Sequence, residues 1–200
     1  MPILLAAMTL PRAASAFTIQ APGMHGCHEQ ITADAFREVR ATIDAAAAVP
    51  TDDPDDLAFM DDVAFELPDD LHDIVATTLL VGARENDLEG RKPTDLSRLA
   101  QLHGASSDQD AHCLRSSSED EPDGSTEALD DCRVYIHDRL NAAFAGLGEN
   151  GVPDVSKREW KDVFLEFRGV TSVLVPTYWF ELGKALHTVE DSYPHTYRTD

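Results

Sequence analysis

Two histidines and an aspartate recur at regular intervals near the carboxyl-terminal end of the chain. His187, Asp191 and His195 lie four residues apart within the segment LGKALHTVEDSYPHT, residues 182–196. Side chains four apart lie on the same face of an α-helix. Imidazole nitrogens and carboxylate oxygens are common ligands of Zn²⁺. The spacing predicts one wall of a metal site; the alternative interpretation is a hydrogen-bonded His–Asp pair on a surface helix.

Further candidate ligands lie far from this segment. His28 extends the apolar face of a first predicted helix, where a histidine is more often a core or capping residue than a ligand. Asp87 and His112 stand in polar, loop-like sequence. His103 ends a predicted helix beside Gly104 and is an alternative to His112. None of these four residues predicts a site by itself.

Composition restricts the classes of partner. The chain has 200 residues, a formal net charge of −21 and an isoelectric point near 4.5. Such a surface repels phosphate backbones and anionic membranes, which argues against passive nucleic-acid binding through a basic patch. A phosphate-ester substrate remains compatible with this charge, because bound cations reverse the local field.

The first residues are typical of an export signal. Residues 3–10 form a short apolar stretch, and Ala14-Ser15-Ala16 is a small-residue cleavage site before Phe17. We therefore expect a signal peptide over residues 1–16 and a domain over 17–200, secreted or periplasmic. The alternative is a short N-terminal core segment. No stretch of the chain predicts a transmembrane segment.

Three cysteines are consistent with export. Cys113 and Cys132 flank an acidic loop over residues 116–126, and in an oxidising compartment we expect them to form a disulfide. Cys27 is the cysteine left over. No CxxC pair is present, so a structural zinc knot is not predicted.

Apolar periodicity predicts a single all-α, multi-helix domain. No segment has a clear strand-type alternation, and residues 51–56 (TDDPDD) are predicted to form a polar loop. The predicted helices cover residues 28–47, a segment starting after Pro68, residues 96–102, 129–147 and 160–170, and a last segment opened by Pro176.

Two segments of this chain resemble the zinc-dependent phospholipase C superfamily, which includes alpha-toxin-type phospholipases and single-strand-specific zinc nucleases. They are GMHGCHEQITADAF and FELGKALHTVEDSYPHT, residues 23–36 and 180–196. The shared patterns are His-x-x-Ile, here beginning at His28, and Ala-Leu-His-x-x-x-Asp, here ending at Asp191. The resemblance implies an exported all-α fold that binds up to three zinc ions through ligands from separate helices.

The resemblance also implies roles for individual residues. His28 and His187 would bind different zinc ions, with Asp191 bridging them and His195 on the third ion. The amine and carbonyl of a mature N-terminus at Phe17 would also bind zinc.

Asp87 and His112 would be the middle aspartate and histidine of the family pattern, with Asp87 also orienting or deprotonating the attacking water. The chain departs from the pattern in two places. Asp191 and His195 are four apart rather than six, and the family's further His-x-x-x-Glu does not occur before Asp200. The chain is thus either a fragment or incomplete at the third zinc site.

We therefore expect an exported zinc-dependent phosphodiesterase that hydrolyses a phospholipid or another phosphate ester with metal-activated water. Zinc neutralises phosphate oxygens and lowers the pKa of a bound water. One alternative is a non-enzymatic acidic helical binding or surface protein that keeps the fold with an incomplete metal cluster. Another is a zinc-dependent nuclease.

Overall fold

The computed structural model describes residues 26–63, 65–115, 119 and 122–195, with the side chains of residues 106, 194 and 195 left out. The predicted signal peptide and Phe17 lie outside this range. Within it the protein is mostly helical and carries one small antiparallel sheet. The helices are α1 Cys27–Arg40, α2 Pro54–Asp62, α3 Ile74–Leu88, α4 Leu96–His103, α5 Gly124–Phe144 and α6 Thr177–His195; the strands are β1 Arg158–Leu165 and β2 Gly169–Pro176.

Helix α3 is the centre of the fold. Fourteen of its residues are buried, and it packs against α6 on one side and α1 on another. Asp73 caps its N-terminus by accepting hydrogen bonds from the backbone of Val75 and Ala76. Buried on nearly all sides, α3 lacks the one-sided apolar face of a surface helix.

Glycines bring α3 and α6 into close approach. A Cβ atom at Gly183 of α6 would overlap the backbone of Leu79 and Ala83, and one at Gly82 of α3 would overlap the carbonyl of Phe180. Only residues without a side chain permit this backbone separation. The close crossing fixes how far α6 is shifted along its axis relative to α3. It therefore also fixes the positions of side chains near the C-terminal ends of both helices.

The predicted helix over residues 160–170 is wrong, and the domain is not purely all-α. These residues belong to a hairpin in which β1 and β2 pair antiparallel, from Arg158 opposite Pro176 to Leu165 opposite Gly169. The apparent helical spacing includes Trp160 and Phe167, which are 69% and 79% exposed.

The buried residues of the hairpin alternate along each strand. They are Val163 and Leu165 on β1, and Val173 and Val175 on β2. The available strand signals in the sequence were the β-branched residues of VTSVLV, residues 170–175, and the glycine before them. In the structure that glycine, Gly169, has a φ of +74° at the turn.

Other helix boundaries differ from the predictions. Helix α1 ends at Arg40, and a 3₁₀ turn, Asp44–Ala46, replaces its predicted end. Helix α2 occupies part of the predicted polar loop, because Asp53 caps it and Pro54 fits the first helical position. Further 3₁₀ turns cover Asp69–Leu71 and Ser106–His112.

Cys113 and Cys132 lie at disulfide-bonding distance, with their Cα atoms 4.9 Å apart. The pair links the end of the Ser106–His112 turn to the middle of α5. No helix among the described residues has the length and apolar character needed to cross a membrane.

Candidate metal centre

Five of the predicted ligands meet in one place. Helix α1 contributes His28, α3 contributes Asp87, the Ser106–His112 turn contributes His112, and α6 contributes His187 and Asp191. All but Asp87 are buried, and His187 is 0% exposed. Burial of three imidazoles and a carboxylate among apolar helices is costly unless they bind one another or an ion.

The carboxylate of Asp191 is the hub of the cluster. Its Oδ2 lies 2.8 Å from His112 Nδ1 and 3.0 Å from His187 Nε2, and its Oδ1 lies 3.3 Å from His28 Nε2. Each oxygen therefore faces a different part of the cluster, the arrangement that a carboxylate bridging two ions requires.

Asp87 completes the cluster from the side that solvent reaches. Its Oδ1 lies 3.8 Å from His187 Nε2 and 3.9 Å from His112 Nδ1, and its side chain is 16% exposed. Asp87, His112 and His187 could hold a divalent cation through these three atoms.

Three overlapping donor sets have their ligand atoms within 4.8 Å of one another. They are His28–Asp87–His187, Asp87–His103–His112 and His112–His187–Asp191. His103 and His112, which the sequence offers as alternatives, thus both lie at the cluster. The buried atoms Asp191 Oδ1 and His112 Nε2 have no partner in strict hydrogen-bond geometry; they lie 3.3 Å from His28 Nε2 and 3.5 Å from Asp108 Oδ2, respectively. The residues present fit a bound divalent cation.

The charges of the cluster are strongly coupled. Burial lowers the pKa of His28, but hydrogen bonds to Asp191 and Glu190 outweigh it and raise that pKa to about 10. Burial also lowers the pKa of His112, but hydrogen bonds to Asp108 and Asp191 outweigh it and raise that pKa to about 9. Burial would raise the pKa of Asp191, yet its histidine partners hold it far below the usual range. Binding of a cation by these imidazoles would therefore release protons.

Asp108 was not predicted as part of the site. Its Oδ2 lies 3.5 Å from both His103 Nδ1 and His112 Nε2. Burial raises its pKa, but the two histidines lower it to about 2. The spacing Asp108-x-x-x-His112 was the available sequence signal, since one helical turn separates the two residues.

Asn86 holds three parts of the cluster together and was also missed. Its amide nitrogen donates to the carbonyl of Lys184 at 3.0 Å and to the hydroxyl of Thr188 at 3.1 Å, and it lies 3.4 Å from the carbonyl of Ala111. Its Oδ1 accepts from Tyr135 on α5 at 2.8 Å. Because Asn86, Ala111 and Thr188 are chain neighbours of Asp87, His112 and His187, this one amide fixes the backbone beside three candidate ligands.

Not every predicted ligand can be placed. The side chain of His195 and the whole of Phe17 lie outside the described part of the chain. His28, Asp87, His112, His187 and Asp191 are brought together. The two sequence motifs contain His28, His187 and Asp191, whereas Asp87 and His112 come from segments outside them.

Comparison of the chain with protein-family models, with curated proteins and with solved structures found no match. The fold and the site define a mostly helical protein with a disulfide-distance cysteine pair and a buried histidine–aspartate cluster able to bind a metal ion.

Proposed function

We propose that the protein is an exported, zinc-dependent phosphodiesterase of the phospholipase C type. The observation that carries the proposal is the convergence of His28, His112 and His187 on the carboxylate of Asp191, with Asp87 at the solvent side. Histidine and carboxylate donors favour zinc over the oxygen-preferring cations.

The residues of the cluster have two different roles in the proposed reaction. The three imidazoles and Asp191 hold the metal ions; when bound, these ions neutralise phosphate oxygens and lower the pKa of a water. Asp87 is the cluster carboxylate with access to solvent, so it is placed to orient that water or accept its proton.

An apolar cavity supports a substrate with a hydrocarbon part. It has a volume of about 480 Å³ and runs between α1, α6 and the end of α5. Its lining includes Thr32 and Leu186, which lie one helical turn from His28 and one residue from His187. A phospholipid fits this neighbourhood better than a nucleic acid does, since the net charge of −21 repels polyphosphate chains.

The cysteine pair supports export. Disulfides persist in oxidising compartments and are rare in reducing ones. Cys113 lies next to His112, so an oxidised bridge would also hold one candidate ligand in place.

The test is metal content and hydrolysis of bis(p-nitrophenyl) phosphate, a soluble phosphodiester, by purified protein and by Asp191→Asn. We expect bound zinc and hydrolysis in the wild type. Asp191→Asn should lose more than one ion per chain and lower the rate by orders of magnitude. Asp34→Asn, an exposed aspartate on α1, is the matched control and should retain both.

Unchanged zinc content in Asp191→Asn would contradict a bridging role and return Asp191 to a simple partner of His187. Zinc binding without hydrolysis of any phosphodiester would favour the non-enzymatic metal-binding protein. Hydrolysis of single-stranded nucleic acid but not of phospholipid would favour the nuclease.

A further inference from the structure

Glu190 links α6 to α1 at the edge of the cluster. Its Oε2 lies 2.7 Å from His28 Nδ1, and its Oε1 accepts a 2.6 Å hydrogen bond from the hydroxyl of Thr32. The opposite nitrogen of the same ring, His28 Nε2, lies 3.3 Å from Asp191 Oδ1. The two nitrogens of His28 thus face two adjacent carboxylates with different surroundings.

Successive residues on a helix point about 100° apart, so Glu190 and Asp191 leave α6 in different directions. Asp191 is directed into the cluster, where His112 and His187 also contact it. Glu190 reaches the far side of the His28 ring, and each of its oxygens already has a partner on α1. The position suits a residue that acts through His28 rather than on an ion directly.

We propose that Glu190 is a positioning residue of the metal centre. It accepts the proton of His28 Nδ1, which leaves Nε2, the ring nitrogen on the Asp191 side, unprotonated and available to bind a metal ion. A carboxylate bonded to the second nitrogen of a histidine fixes its tautomer and ring orientation and makes it a stronger ligand. Thr32 holds the carboxylate in the rotation that reaches His28. The inference rests on the proposed metal centre.

Neighbouring residues make this geometry specific. Thr32 lies one helical turn after His28, so both are on the face of α1 that packs against α6. His28 and Thr32 are 4% and 1% exposed. The Glu190 side chain is 12% exposed, which leaves water little room to replace it as the partner of Nδ1.

The test compares zinc affinity with stability in four variants: Glu190→Gln, Glu190→Ala, Thr32→Val and, as matched control, Glu38→Gln, an exposed glutamate on α1. Zinc affinity is measured by competition with a chromogenic chelator. We expect Glu190→Ala to bind zinc about 10- to 100-fold more weakly than the wild type. Glu190→Gln should lose less, because its amide oxygen can still accept the Nδ1 proton, and Thr32→Val should show a smaller loss in the same direction. Glu38→Gln should match the wild type.

A second measurement reads the tautomer itself. In zinc-loaded protein, ¹⁵N chemical shifts of the ring should identify Nδ1 of His28 as the protonated nitrogen and Nε2 as the metal-bound one. Binding of zinc through Nδ1 would overturn the proposal whatever the variants do. This measurement needs only wild-type protein, so poor folding of a variant does not prevent it.

The outcomes separate this inference from the proposed function. A wild type that binds no zinc contradicts the metal centre itself. A wild type that binds zinc, together with Glu190→Ala of unchanged affinity and lowered stability, leaves the centre intact and makes Glu190 a structural ion-pair partner only. Loss of a whole ion from Glu190→Ala at saturating zinc would make Glu190 a direct ligand and would also overturn the positioning role.

Discussion

His112 Nδ1 lies 3.1 Å from His187 Nε2, although 75 residues separate the two histidines in the chain. Both nitrogens also contact the same oxygen of Asp191. Two ring nitrogens directed at one another and at one carboxylate oxygen need either a shared proton or a shared cation between them. The contact places His112 directly against His187 and Asp191, whereas His103 lies against Asp108.

Replacing His112 should cost more zinc affinity than replacing His103. We expect His112→Gln to weaken zinc binding by more than about 100-fold, the upper end of what loss of an indirect partner costs. His103 is partly exposed and faces Asp108, so His103→Gln should lose less. Competition with a chromogenic chelator measures both. Equal losses of zinc affinity in the two variants would contradict this prediction and make His103 a ligand equivalent to His112.

The amide of Asn86 should stabilise both the fold and the metal centre. Asn86→Ala leaves the Tyr135 hydroxyl without its acceptor and removes the amide's contacts with Lys184 and Thr188, at a cost of about 2–3 kcal/mol in unfolding free energy. Zinc affinity should fall in addition, since the backbone beside Asp87, His112 and His187 loses its common anchor. Urea denaturation of the metal-free protein and zinc titration separate the two effects. Asn141→Ala, at an exposed position on α5, is the control.

The disulfide should be detectable and should support His112. Denatured, unreduced protein should contain one thiol, and reduced protein three. In the chain-entropy account, a bridge closing a loop of this length contributes about 3 kcal/mol to stability. Reduction should therefore lower the unfolding midpoint and also zinc affinity, because Cys113 follows His112 directly. Three thiols before reduction would contradict both the bridge and export.

The ion pair between Asp56 and Arg158 should make stability depend on pH at the acid end. Arg158 donates from both terminal nitrogens to the two oxygens of Asp56, joining α2 to β1. Burial raises the pKa of Asp56, but the hydrogen bonds from Arg158 outweigh it and hold that pKa below the ordinary 3.8. Since the folded-state pKa is depressed, this stabilisation is present above pH 3.8 and is lost as the pH falls below it.

Asp56→Asn tests that dependence. At pH 7 it should cost about 1.5–3 kcal/mol, the usual contribution of a hydrogen bond to a charged group. The difference from wild type should shrink as the pH falls below 3.8, where the wild-type carboxylate also takes up a proton. Asp55→Asn, exposed on the same helix, should show no such convergence. Denaturant unfolding across this pH range provides the measurement.

Gly183 should tolerate no side chain. In Gly183→Ala the added methyl group would overlap the backbone of Leu79 and Ala83, forcing α6 away from α3. We expect a loss of more than about 2 kcal/mol in unfolding free energy. Zinc affinity should also decline, because His187 lies one turn further along α6. Gly148→Ala, where the nearest atom is the side-chain oxygen of Asn150 at 3.0 Å rather than backbone, should cost less.

The sequence determined the helical character and the ligands that carry a local pattern. Spacing of four residues placed His187 and Asp191 on one face of α6, and the apolar stripe placed His28 on α1. The sequence also predicted that Cys113 and Cys132 lie close enough to pair, because the two cysteines stand on either side of one acidic loop. These features depend on contacts within one element or across one loop, where the period of the helix and the reach of a short chain leave few alternatives.

Only the tertiary structure decided the hairpin and the rest of the cluster. Residues 160–170 have an apolar spacing typical of a helix, but the antiparallel pairing of β1 with β2 makes them a hairpin that buries Val163 and exposes Trp160. Asn86 and Glu190 carry no sequence signature of their own, and Asp108 and His112 carry only a spacing of four residues. Their roles arise when the crossing of α3 and α6 at Gly82 and Gly183 brings distant segments together. Such contacts depend on the relative placement of whole helices, which no local period encodes.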